Sequence, residues 1–308
     1  MTNKAFLRLA RPGHWIKNIF VFLPVIFAVK MSEPSAWLHA SIAAFAFCLI
    51  SSSIYIINDI HDRAKDRLHP EKKNRPIASG VISVPLAVVV AIILAVIALA
   101  GPVAVWAVMP TDASWRLSVI ILAYFIMQLA YTYFLKRKMI VDVICIAMGF
   151  VLRATAGAVA IDVVISPWLF VCTFTICLFM GFCKRSNENA TLGDTPSPAA
   201  SHRATLAGYT PELLTHLITL SASVAVIGFI LYALSPSTTE HYGSEYIVYT
   251  LPLFIYGIFR FAMLSMHAKY SDPTTLLLKD WPLQATVVLW LLATISIILW
   301  GRNLAECL

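Results

Sequence analysis

Nine long apolar runs dominate this chain, at about residues 16–29, 37–57, 82–108, 117–135, 140–161, 167–183, 213–234, 247–265 and 282–301. A helix that crosses a bilayer needs about 20 mostly apolar residues, because the hydrocarbon layer is roughly 30 Å thick and each helical residue rises about 1.5 Å. A chain of 308 residues holds nine such helices and little else. In lipid every backbone polar group must be satisfied within the protein, so a run of this kind folds as a helix. The expectation is an all-α polytopic membrane protein, about nine transmembrane helices in a single domain over residues 1–308. Of its residues 59% are hydrophobic and only 13% charged, against roughly 25% charged in soluble domains. Residues 1–14 are polar and basic, unlike a cleavable signal, and no internal repeat is visible.

The first run is the exception within the pattern. Pro24 interrupts it and it is squeezed between Lys17 and Lys30, so a tilted or partly interfacial placement is open. Charge gives the orientation, since cytoplasmic loops retain Lys and Arg. With the N-terminus inside, the inner segments collect Lys4, Arg8, Arg11 and Lys17, the basic residues between Arg63 and Arg75, Lys136 to Lys138, Lys184, Arg185, Arg203, Lys269 and Lys279. Only Lys30, Arg116 and Arg302 fall outside, and Arg153 and Arg260 lie within spans. This bias predicts a cytoplasmic N-terminus and an external C-terminus. The formal charge of +7 thus follows topology and gives no reason to expect nucleic acid. The six cysteines lie mostly in apolar runs without CxxC spacing, and the eight histidines show no metal-ligand spacing.

Chemistry is concentrated in INDIHDRAKDRLHPEKKNRPIASG, from Ile57 to Gly80. Asp59, Asp62 and Asp66 are three and four residues apart, a spacing that stacks them on one helix face. Like charges so placed repel unless a cation neutralises them. Mg²⁺ bridges one or two carboxylates to substrate phosphates while keeping several waters, which suits this arrangement. Asn58 adds an amide oxygen, and Arg67, Lys73 and Arg75 supply charge for phosphate. The competing reading is a solvated helix end whose aspartates pair with neighbouring cations. Lys17, Asn18, Tyr131 and Lys136 fall at inner helix ends, where they would ring a cytoplasmic opening. Arg153, in mid-span, is costly unless it faces protein, water or an anion, and a role in a cavity is expected of it.

NDxxDxxxD at the end of the second span resembles the UbiA-type intramembrane prenyltransferase superfamily. DRxHPxKxxRPIAxG, from Asp66 to Gly80, looks like its decaprenyl-phosphate phosphoribosyltransferase branch, as do RPGHWIKNIFVFLP at 11–24, LKRKMIVDVICIAMGFVLRATAGAVA at 135–160, KRSNE at 184–188 and RATLAGYT at 203–210. The resemblance covers most of the chain up to about residue 215. It implies helices enclosing a cavity open to the cytoplasm and to lipid in the cell (inner) membrane. It also implies Mg²⁺ held by Asp59, Asp62 and Asp66. The implied partners are phosphoribosyl diphosphate and a polyprenyl phosphate, with 5-phosphoribose transferred for cell-wall arabinan synthesis. Superfamily members that transfer a prenyl group carry a second motif, DxxxD. This chain has Lys184, Arg185 and Glu188 in that region, which favours direct basic contacts to the donor. Ordinary prenyl transfer to a small acceptor is the first rival reading. A transporter is the second, though no paired interrupted helices are visible. Homo-oligomerisation stays open.

Overall fold

The computed structural model describes residues 2–69, 72–105, 111–164, 167–192, 208–266 and 273–307. Among these residues the secondary structure is helical throughout, without strands. The chain divides into two units, one ending near residue 165 and one beginning there.

The first unit opens with helix α1 (Thr2–Ala10), then a 3₁₀ segment (Pro12–Phe22) that continues into α2 (Leu23–Phe27). Helix α3 (Pro34–His61) follows, and the short α4 (Arg63–Leu68) begins just past its end. The long helices α5 (Val84–Ala104), α6 (Thr111–Tyr133) and α7 (Val141–Ala160) complete it. Local sequence sets the starts: α3 and α5 each have proline in the first turn, where a missing N–H costs nothing, after an extended residue, Glu33 or Ser83. Helix α3 is the hub, packing on α5, α6, α7 and the 3₁₀ segment. Ala43, Phe47, Ile50 and Ile54 from α3 meet Val21, Leu117, Ile121, Tyr124 and Ala156 in the core. The outward face of α5 keeps Val88, Val89, Ile92, Ile93, Val96 and Ile97 exposed. So wide an apolar face is ruinous in water and natural against lipid.

The second unit holds α8 (Pro167–Leu192), α9 (Pro211–Leu234), α10 (Pro236–Tyr242), a 3₁₀ turn (Tyr246–Thr250), α11 (Leu251–Met266), α12 (Pro273–Lys279) and α13 (Trp281–Cys307). Thr210 caps α9 by accepting from the Leu213 N–H at 3.2 Å, with Pro211 as the first helical residue. Helix α8 packs on α9 and α11. Phe229 stacks on Phe254 at 4.5 Å, and Trp290 closes against both rings. Arg260, a mid-span cation, forms a two-pronged pair with Asp280 at 2.7 and 2.9 Å. That pairing answers the question its position raises.

Among the described residues, seven helices are long and apolar enough to cross a membrane. They coincide with seven of the nine apolar runs, and the run at 167–183 lies in the 26-residue α8. The run at 16–29 does not form an ordinary spanning α-helix. Its 3₁₀ segment of 11 residues rises about 2.0 Å per residue, so with the five residues of α2 the contour is roughly 30 Å. Fewer residues therefore cover a hydrocarbon thickness. Val21 and Val25 are fully buried, so the segment is held by packing. Gly157 of α7 makes this possible: a Cβ there would lie 1.9 Å from the Val21 carbonyl oxygen, so only glycine admits so close an approach.

Candidate active site

The candidate site of the first unit gathers where α3 ends. Helix α3 stops at His61 and Asp62 occupies the junction with α4, yet the i to i−4 pattern carries through it. The Asp62 N–H donates to the Asn58 carbonyl and the Asp66 N–H to that of Asp62, both at 2.9 Å. The three carboxylates do not, however, share one set of partners. Asp59 and Asp66, both buried, converge on one nitrogen of Arg75, at 3.0 and 2.7 Å. Arg75 comes from the proline-punctuated loop that folds back over the helix end. Asp62 pairs with Lys136 Nζ, 3.1 Å from each carboxylate oxygen, and with His61 Nδ1 at 2.9 Å. The three aspartates thus have two sets of partners: Asp59 and Asp66 share Arg75, and Asp62 pairs with Lys136 and His61.

Electrostatics follows these pairings. Burial works to raise the Asp62 carboxyl, but the hydrogen bonds and positive charge of His61 and Lys136 outweigh it and hold the group below the usual carboxylate value. Lys136 also donates to Asn58 Oδ1 at 3.4 Å. Arg67 spends its Nε–H on the Ala78 carbonyl at 3.0 Å, bracing the loop that carries Arg75. Lys73 is exposed. Lys17 and Tyr131 are half-buried, on the 3₁₀ segment and on α6.

Two expected site residues, Arg153 and Asn18, are buried among protein partners. Arg153 and Asn18 bond each other at 2.7 Å inside the first unit. Arg153 also donates to the Gly149 carbonyl and the Tyr124 hydroxyl, both at 2.7 Å, and to Ser51 at 3.3 Å. Its guanidinium lies over the Phe47, Tyr124 and Phe150 rings as well. A cation so enclosed ties α3, α6, α7 and the 3₁₀ segment together. In the second unit Lys184, Arg185 and Glu188 fall within one turn of α8. Arg185 pairs with Glu188 at 2.5 Å, and Lys184 stands 4.0 Å from it.

The sequence reading missed Arg11 and His61. Arg11 bonds Asp59 at 2.5 Å across 48 residues and lies over the Tyr55 ring. Its left-handed backbone, φ 52°, turns the chain between α1 and the 3₁₀ segment. The signal was present, since Arg11 opens the RPGHW stretch, but nothing local says which acid it meets.

A family model described as the UbiA prenyltransferase family matches residues 19–277. The chain belongs to this family. It is a multi-pass membrane protein and a transferase of the UbiA type. Two decaprenyl-phosphate phosphoribosyltransferases, from Mycolicibacterium smegmatis and Mycobacterium tuberculosis, are each 32% identical to it. The match covers 92% of this chain and 89% and 91% of theirs. A UbiA homologue from Archaeoglobus fulgidus bound to GPP and Mg²⁺ shares the fold, with TM-score 0.71 at 19% identity over 96% of this chain and 99% of that one.

A divalent metal fits the UbiA site in a limited way. Among the described residues no three His, Cys, Asp or Glu side chains stand where they would hold a metal by themselves. Asp59 and Asp66 do converge on one cationic nitrogen, and two carboxylates completed by substrate phosphate are an ordinary Mg²⁺ site. The donor set therefore suits Mg²⁺ shared with a phosphorylated ligand.

Proposed function

We propose that this protein transfers 5-phosphoribose from phosphoribosyl diphosphate to the phosphate of a long-chain polyprenyl lipid, decaprenyl phosphate or a close analogue, releasing diphosphate. The observation that carries this reading is the 32% identity, over 92% of the chain, to enzymes named for that reaction. Lys184 and Arg185 of α8, in place of a second aspartate pair, favour it over prenyl transfer. A lipid phosphate oxygen forms the new bond to C1 of ribose while the bond from C1 to the diphosphate oxygen breaks. That nucleophile is already anionic at pH 7, so no strong general base is required and positioning supplies most of the rate. Mg²⁺ held by Asp59 and Asp66 would neutralise negative charge on the leaving diphosphate. Arg75 and Arg11 hold those two carboxylates in place, and Lys136 keeps Asp62 ionised beside them. Lys184, Arg185 and Glu188 are assigned to the phosphoribosyl donor, and Lys17, Asn58, Tyr131, Arg67 and Lys73 to the polar rim. The whole chain acts as one domain.

Purified protein in detergent, given Mg²⁺, should release diphosphate only when phosphoribosyl diphosphate and a polyprenyl phosphate are both present, with mass spectrometry finding the phosphoribosyl lipid. Consumption of a prenyl diphosphate instead would replace this reading with ordinary prenyl transfer.

The site faces the cytoplasm of the inner membrane in this proposal, with nine crossings. The roughly 30 Å contour of the segment from Pro12 to Phe27 supports the first of them. Ser79 and Ser237 are both exposed, so cysteines placed there report topology without disturbing packing. A membrane-impermeant thiol reagent should modify position 79 only from the cytoplasm and position 237 only from outside. Modification of both from one side rejects this topology.

A further inference from the structure

Among the described residues, one guanidinium beside the aspartate cluster carries a buried donor without a partner. Arg63 opens α4, directly after Asp62, four residues from Asp59 and three from Asp66. At helical spacing each of those carboxylates is within a long side chain's reach. None is bonded to it among the described residues. Asp59 is taken by Arg11 and Arg75, Asp66 by Arg75, and Asp62 by His61 and Lys136. The Nε–H of Arg63 is sealed from solvent without a hydrogen-bond partner.

A buried donor without an acceptor is unfavourable, and arginine cannot relieve itself by losing a proton. An outside anion satisfies that demand. The planar fork of a guanidinium matches two oxygens of a phosphoryl group.

We propose that Arg63 is a phosphate-binding residue of this site, taking a phosphoryl group of either the diphosphate-bearing donor or the polyprenyl phosphate acceptor. The inference rests on the proposed function only for the names of those two ligands. The alternative is that Arg63 merely anchors the helix end to bilayer headgroups.

The test uses the full-length protein in detergent with Mg²⁺, titrated without turnover against inorganic diphosphate and, separately, a polyprenyl phosphate. Arg63→Gln should weaken one of the two by about 10- to 100-fold, the usual consequence of losing a charge-assisted hydrogen bond, while the thermal midpoint stays near that of wild type. Arg63→Lys, which keeps the charge but not the fork, should fall between, and it serves as the probe if Arg63→Gln does not fold. The weakened ligand identifies which phosphate is held. Unchanged affinity for both overturns the proposal, as does a lysine variant no better than glutamine. Because the assay needs no product, a wild-type protein that makes no phosphoribosyl lipid rejects the proposed function alone.

Discussion

Asp59→Asn is expected to lower kcat/KM by about 10²- to 10³-fold, the loss typical of deleting one group that stabilises developing charge. It should also abolish the rise in thermal midpoint that Mg²⁺ with diphosphate gives the wild type. The substitution preserves size and removes the charge. The structure adds a second consequence, because Asp59 is buried between Arg11 and Arg75. Breaking such an arrangement leaves uncompensated buried charge and costs about 3–5 kcal/mol. Loss of activity alone is therefore ambiguous, and the ligand-induced shift is the decisive reading. Asp66→Asn should behave similarly, since it shares the same Arg75 nitrogen. Asp62→Asn should keep the ligand-induced shift, since that carboxylate pairs with Lys136 instead. If Asp62→Asn abolishes the shift and Asp59→Asn keeps it, the assignment of the pair to the metal is wrong.

Tyr124→Phe is expected to destabilise the folded protein by about 1.5–3 kcal/mol, the worth of a hydrogen bond to a charged group, with the KM of each substrate unchanged. It deletes one oxygen, leaves the ring under the guanidinium, and strips Arg153 of one of its three 2.7 Å acceptors. Asn18→Leu removes another acceptor, and the two together should depart from additivity because both act on one cation. Thermal melts in detergent provide the comparison. Unchanged stability with a raised KM for either phosphorylated substrate would return Arg153 to the ligand and sink the internal role.

How much of this was legible in the chain differs from part to part. Apolar runs declare themselves because lipid offers backbone groups no partner, so length and hydropathy suffice for the long helices. The 3₁₀ segment is different: its hydropathy is ordinary, and its tight winding goes with a backbone contact to Gly157, far along the chain. Spacing of Asp59, Asp62 and Asp66 marked the place of the chemistry, because i, i+3 and i+7 fall near one helix face whatever the tertiary fold. Which of them converge was set by Arg75 and Lys136, and Lys136 reaches Asp62 across 74 residues. Arg153 shows the same division. Its sequence position states only that a cation in a span needs a partner. Whether that partner is a substrate or the protein depends on Asn18, Ser51 and Tyr124, which lie 135, 102 and 29 residues away. Hydrophobic length is a local property of a chain. The satisfaction of a buried charge is not, since its partners are chosen by packing.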